Sequence, residues 1–370
     1  MKKIVGTTAL CFYVSLLLGQ EKPLPMKMDF EDYDPPSTLI VEEHHLTRAK
    51  FPFVDIHNHQ GDWNSADLSG LVKEMDKMNM AVMNNLSGRG FGNAGSDFLE
   101  KSLENIKTHY PNRFILFTNI DFSGIDDPQW TSRTVLQLEK DVKDGAKGLK
   151  IYKSLGMFSR DKKGRRIHVD DARIDAVWDK CGELGIPVLI HAADPKPFWQ
   201  PIDNQNERWL ELKLHPGRRH DTDTVKWETV IAEQHRMFRK HPKTKFINAH
   251  LGWYGNDLAK LGALMDELPN MYTEIGAVIA ELGRQPRAAK AFLTKYQDRV
   301  LFGKDSWVPE EYQTYFRVLE TEDEYFPYHK RYHAFWRMYG IGLPNEILKK
   351  IYYKNALALI PSLDRNLFPK

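Results

Sequence analysis

From Phe53 onward the chain alternates between short, continuous apolar runs and segments whose apolar residues recur at helical spacing. The runs are Phe53–His57, Ala81–Leu86, Phe114–Ile120, Gly148–Tyr152, Pro187–His191, Lys245–His250, Met271–Ile275 and Val300–Gly303. Near-continuous apolar runs of this length are what strands buried on both faces require. Helical patterns lie between them at Leu68–Met78, Asp97–Tyr110, Thr131–Lys143, Asp171–Leu184, Trp227–Lys240, Asp257–Glu267 and Pro286–Tyr296. Gly185-Ile186-Pro187 and Leu268-Pro269-Asn270 stop two of these helices just ahead of the next strand. Eight strands, seven intervening helices and a helical tail over Glu346–Ile360 predict a closed parallel (β/α)8 TIM barrel within residues 51–370. An open, doubly wound sheet is the competing arrangement. It leaves unexplained the polar residues at the strand ends.

Ahead of the barrel, residues 21–50 read as an extended arm. Asp32-Tyr33-Asp34-Pro35-Pro36 is turn-forming and Thr38-Leu39-Ile40-Val41 is expected to form one short strand. Residues 1–20 differ again: Lys2 and Lys3 precede an apolar run from Ile4 to Leu18, then Gly19-Gln20 and the polar Glu21-Lys22. That is the layout of a cleavable bacterial signal peptide, and the run is shorter than the roughly 20 apolar residues of a membrane span. The expectation is export to the periplasm or cell exterior, with no stable membrane span. Removal of Lys2 and Lys3 would bring the formal charge from +2 to zero. Neither value, nor any basic block, points to nucleic acid. Apolar residues at 42% supply a sizeable core, and Cys181, alone once Cys11 leaves with the signal, reads as a small core residue.

The chemistry sits at the predicted strand ends. Asp55-Ile56-His57-Asn58-His59 closes strand one, His191 ends strand five, His250 ends strand six and Asp305 follows strand eight. In a barrel these ends converge on one mouth. His57 and His59 are two apart on an extended segment, so both side chains can point the same way. A lone histidine at a strand end is more often a hydrogen-bonded structural residue. Four such residues on one predicted mouth favour a metal site, and imidazoles with one carboxylate suit Zn²⁺ with a position left for water. The remaining histidines, His220, His235, His241 and His333 among them, are expected to be structural.

These motifs resemble the amidohydrolase superfamily, in its amidohydrolase-related (type 2) branch, which includes decarboxylases similar to aminocarboxymuconate-semialdehyde decarboxylase. The resemblance spans about Phe53 to Ile360. It rests on Val54-Asp55-Ile56-His57-Asn58-His59, Pro187-Val188-Leu189-Ile190-His191, Ala249-His250-Leu251-Gly252, Leu301-Phe302-Gly303-Lys304-Asp305 and Lys354-Asn355-Ala356. It implies that His57, His59 and His191 are metal ligands, and that Asp305 is a ligand or the base for a metal-bound water. His250 would orient that water or polarise the substrate carbonyl. Lys304 departs from many relatives, which carry a small residue there; it could lower the pKa of Asp305, meet an anionic substrate or point into the barrel wall. Two-metal members of the superfamily carry a carboxylated lysine on strand four. Lys150 occupies that strand, but the type 2 branch implies one metal and an unmodified Lys150 forming a positive wall of the pocket.

No serine or cysteine elbow and no glycine-rich phosphate loop offers another nucleophile. The long segment after strand five, with Phe198, Trp199 and Trp209, is expected either to shape the mouth or to pack as an insertion. Trp199, Trp253 and Glu274 join Lys150 as candidate substrate contacts. The reading is a metal-dependent hydrolase that attacks a lactone, amide or related acyl bond of a small molecule. Non-oxidative decarboxylation on the same site is the alternative, and a homo-oligomer is compatible with the sequence.

Overall fold

The computed structural model describes residues 26–61, 63–90, 97–223 and 225–369. Residues 1–20, where the signal peptide is expected, lie outside them. The chain divides into Met1–Pro36 and Ser37–Lys370. In the first unit, Asp32 N donates to Asp29 O at 3.1 Å and Tyr33 N to Phe30 O at 3.2 Å, so the turn lies just ahead of the Asp32–Pro36 stretch where the sequence suggests it.

The second unit is built on eight parallel strands in sequential order: β1 (Phe53–Asn58), β2 (Met80–Asn85), β3 (Phe114–Asn119), β4 (Gly148–Ile151), β5 (Val188–Ile190), β6 (Phe246–Asn248), β7 (Met271–Glu274) and β8 (Val300–Leu301). The barrel closes between β8 and β1, where Ile56 N donates to Phe302 O at 3.1 Å and Asn58 bridges Asp305. All eight predicted strands form, and β1 is buried along its whole length. Covered on one face by the barrel interior and on the other by helices, they need the continuous apolar runs that announced them.

Among the described residues each strand is followed by one long helix: α1 (Ser69–Met78), α2 (Phe98–His109), α3 (Trp130–Asp144), α4 (Asp175–Leu184), α5 (Trp227–Lys240), α6 (Leu258–Glu267), α7 (Pro286–Lys295) and α8 (Pro309–Glu320). The sequence reading has no α8. Pro309 starts it, Glu310 and Glu311 fill its first turn, and Tyr312, Tyr315, Phe316 and Leu319 form its buried stripe. These are ordinary helix-start and amphipathic signals. The predicted C-terminal tail is a further element, Asn345–Leu359, whose middle, Lys350–Lys354, widens into a π turn. There Ile351 O accepts from Phe302 N at 2.9 Å, and Asn355 Nδ2 donates to Val300 O at 2.7 Å. The tail therefore supplies polar partners to the shortest barrel strand.

Thr38–Val41 forms no strand, contrary to expectation. Leu39 and Ile40 are exposed, and the closed barrel offers them no free edge to pair with. Cys181 is fully buried, as expected, and burial pushes its thiol pKa well up. Among the described residues no helix is long and apolar enough to cross a membrane.

Candidate metal centre

β1 delivers His57 and His59 to the mouth. Asp55, buried on the same strand, holds that end of the barrel in place. Its Oδ1 accepts from the backbone N of His57 and of Lys304, both at 3.1 Å, and its Oδ2 from Tyr312 Oη at 2.6 Å and Asn58 Nδ2 at 2.9 Å. Burial lifts the Asp55 pKa to about 6 against those hydrogen bonds. Asp305 N in turn donates to His57 O at 2.6 Å. The β1–β8 seam thus sets two candidate ligands in one register.

The side chains close up accordingly. His57 Nε2 lies 3.2 Å from Asp305 Oδ1, and His59 Nε2 lies 3.7 Å from the same oxygen. Ligand atoms about 2.1 Å from a tetrahedral ion stand about 3.4 Å apart, so these separations suit one small cation. His59 Nδ1 lies 2.9 Å from Ser87 Oγ, which lies 3.0 Å from Tyr152 Oη. Ser87, placed just after β2, is a partner the sequence reading does not contain.

His191 and His250 stand beside this group, their ring centroids 4.5 Å apart, with the His57 ring 4.8 Å from His250. The Nε2 atoms of both His191 and His250 are buried without a hydrogen-bond partner among the described residues. Burial is the leading cause that holds His191 well below the usual imidazole pKa, His250 below it and His59 at about 2. Burial would raise Asp305, but the neighbouring His57 holds it well below the usual carboxylate range. The His191 and His250 rings, each with an Nε2 unpartnered among the described residues, stand beside an ionised carboxylate, a donor set that fits a divalent cation. His191 is outside the tight His57–His59–Asp305 group, with its Nε2 3.9 Å from Asp194 Oδ1.

His250 opens a turn of unusual backbone. His250, Leu251, Gly252 and Trp253 have φ of 57°, 53°, 59° and 59°, all left-handed. Three are not glycine, and each such residue costs roughly 1–2 kcal/mol. At Gly252 a Cβ would stand 2.3 Å from Asn248 Nδ2. Strain of this kind persists only where the surroundings hold it. Here the backbone N of His250 donates to Glu274 Oε1 at 2.6 Å and its Nδ1 donates to Gly276 O at 2.8 Å. The turn lays the Trp253 ring 4.6 Å from His250 and 5.6 Å from His191.

The other expected substrate contacts divide. Trp253 stands against the histidines, with its indole N buried and unpartnered among the described residues. Glu274 does not meet the mouth. It is fully buried, and both its oxygens are engaged by His57, His250 N and Gly276 N. Trp199 also turns away: its indole N donates to Val225 O at 2.8 Å and its ring lies 4.3 Å from His220. It packs the insertion. Lys150 is buried, with Nζ 3.4 Å from His57 Nε2, and burial brings its pKa down to about 8. It underlies the site rather than walling an open pocket. Lys304 points into the wall, onto Glu311 and 3.2 Å from Ser306 Oγ.

A family model described as Amidohydrolase matches residues 107–361, a stretch that holds His191, His250 and Asp305. None of the curated proteins matches the chain. Among solved structures, a putative amidohydrolase from Staphylococcus aureus superposes with a TM-score of 0.53 at 16% identity, over 84% of this chain and 99% of that one. A dihydroxybenzoic acid decarboxylase from Polaromonas, with bound manganese and the inhibitor 2-nitroresorcinol, gives 0.52 at 14% over 86% and 99%. A 4-oxalomesaconate hydratase from Rhodopseudomonas palustris gives 0.52 at 15% over 85% and 97%. At these identities the structures share the barrel fold with this chain.

Proposed function

The chain belongs to the amidohydrolase family, whose members are metal-dependent enzymes, and on that premise we propose that it hydrolyses a lactone, amide or related acyl bond of a small molecule. His57, His59, His191 and Asp305 would hold one divalent cation, Zn²⁺ by the nitrogen-rich donor set. When bound, such a cation is a Lewis acid that lowers the pKa of water and polarises a carbonyl.

The protein's own groups act around it. Asp305, ionised and with its side chain one-third exposed, accepts the proton of the attacking water and returns it to the leaving group. The observation that carries hydrolysis is the contact of His250 Nδ1 with Gly276 O at 2.8 Å, which assigns the ring its tautomer. Its Nδ1–H is committed to Gly276 O, so the neutral ring turns a lone pair to the mouth. A lone pair orients water and takes up its proton; it cannot donate to a carbonyl. Two acceptors at one mouth suit activation of water, whereas decarboxylation requires a donor to protonate the carbanion left when carbon dioxide departs. Trp253, its N–H unpartnered among the described residues, contacts a substrate oxygen or ring.

A panel of lactones, amides and carboxylated aromatics tests this reading on the purified protein. Ring opening or amide cleavage is expected. Carbon dioxide release from a carboxylated aromatic, with no hydrolysis, overturns it in favour of the decarboxylase. Metal analysis is expected to find close to one zinc per chain; two metals with a carboxylated Lys150 refute the single-ion assignment. Export is part of the same proposal, and N-terminal sequencing of the mature protein is expected to begin near Glu21.

A further inference from the structure

Glu274 is the last residue of β7, and no part of it reaches solvent. Its Oε1 accepts two hydrogen bonds, from His57 Nδ1 at 2.9 Å and from the backbone N of His250 at 2.6 Å; Oε2 accepts from Gly276 N. The carboxylate is seated between two glycines. A Cβ on Gly303 would stand 2.5 Å from Oε2 and 2.9 Å from His57 Cβ, and one on Gly276 would stand 2.6 Å from Oε2. Two glycines on the loops after β7 and β8, where an added Cβ would displace the carboxylate, confine its position.

We propose that Glu274 is a positioning residue that serves two parts of the site at once. It keeps the His57 proton on Nδ1, which turns the Nε2 lone pair toward Asp305 and His59, and it pins the first residue of the left-handed turn that presents His250 and Trp253. This rests on His57 being a metal ligand. A carboxylate behind a ligating imidazole fixes ring orientation and strengthens the nitrogen as a donor. Sharing one oxygen between the ring and His250 N makes the placement of the metal side and of the proton-accepting side depend on the same group. With N–H donors from His57, His250 and Gly276 on its two oxygens, the Glu274 carboxylate acts as an acceptor for all three groups. Glutamine at this position has one acceptor and one donor group and cannot satisfy three N–H donors.

The test is Glu274→Gln, with Zn²⁺ alone as probe. Affinity measured on the folded metal-free protein by competition with a chelator is expected to fall about ten- to a hundredfold. In the zinc-loaded protein, the exchange-protected proton of His57 Nδ1 is expected to leave the far-downfield proton NMR region. Gly303→Ala keeps the carboxylate chemistry but displaces it, and is expected to weaken Zn²⁺ binding likewise; it carries the test if Glu274→Gln does not fold. Wild-type Zn²⁺ affinity in a folded variant, with only its melting temperature lowered, would make Glu274 a merely structural residue and overturn the positioning role. Failure of the unaltered protein to bind Zn²⁺ would overturn the metal reading itself, and this inference with it.

Discussion

Two sets of buried histidines show what distinguishes a candidate site from well-satisfied interior. His220 and His241 are as enclosed as the mouth residues, but each has both ring nitrogens committed. His220 lies between Asp194 and Asp223 at 2.9 and 2.7 Å, and His241 between Asp175 and Asp179 at 3.1 and 2.7 Å. At the mouth, His191 and His250 each leave Nε2 without a partner among the described residues, and their rings converge with that of His57. His235 also has a buried Nε2 unpartnered among the described residues, but it packs on Tyr254 away from the mouth histidines. Burial is therefore not the mark, and neither is one lone pair. Convergence of several lone pairs beside an ionised carboxylate is the mark, because each would cost stability unless a cation or substrate completes it.

The strongest way to break this contrast is Asp305→Asn. It keeps the shape and removes the proton acceptor, and turnover is expected to fall by about a thousandfold or more with the fold intact by circular dichroism. Near-normal kcat would remove Asp305 from the base role. Next comes a matched pair of truncations. His191→Ala is expected to abolish metal binding and activity while leaving the melting temperature of the metal-free protein unchanged or higher, since its Nε2 has no partner among the described residues. His241→Ala is expected to leave activity alone but to cost about 1–3 kcal/mol of stability, because its two carboxylates lose a buried partner. Reversal of either outcome would erase the distinction between the sets.

The convergence itself was readable from the sequence, because strand ends are read from periodicity and a barrel's topology brings them together. His57, His59, His250 and Asp305 stand together as the eight apolar runs imply, with His191 beside them. What the sequence did not convey is direction. Glu274 ends a strand as His250 nearly does, but the two glycines that draw it behind His57 lie on different loops, and their joint effect appears only once β7 and β8 are adjacent. The left-handed run over 250–253 is equally silent, since only Gly252 among its residues favours that backbone. The α8 signals, Pro309 at its start with Glu310 and Glu311 in its first turn, are legible in the sequence.

Acidity gives a subtler test of the same sets. Burial lowers the His235 pKa to about 4, below its unfolded value of about 6.5. The unfolded chain therefore binds the extra proton first, and stability falls as pH drops from about 6.5 to 4, by up to about 3 kcal/mol. His220 runs the other way. Burial lowers its pKa, but Asp194 and Asp223 more than offset this and raise it. Its contribution is full below about 6.5 and is lost as pH rises through the raised value. Melting temperatures across pH should lose their acid-side fall in His235→Gln and their decline on the alkaline side of neutrality in His220→Gln. Profiles identical to the wild type would mean that these rings do not titrate as their surroundings dictate.

The smallest expected effect isolates the role of burial in a single interaction. Asp179 and Glu274 each hold a histidine Nδ1, at 2.7 and 2.9 Å, but the Asp179 side chain is 62% exposed and Glu274 is not exposed at all. Water can replace the carboxylate at His241 Nδ1, and Asp175 still holds Nε2. Asp179→Ala is accordingly expected to cost under about 1 kcal/mol and to leave Zn²⁺ affinity unchanged. Glu274→Gln acts where no water can enter and where the histidine has a second task at Nε2. If thermal denaturation showed Asp179→Ala to be several-fold costlier than this, the exposed pair would be doing more than surface electrostatics allows. Enclosure by Gly276 and Gly303 would then not be what sets the Glu274 pair apart.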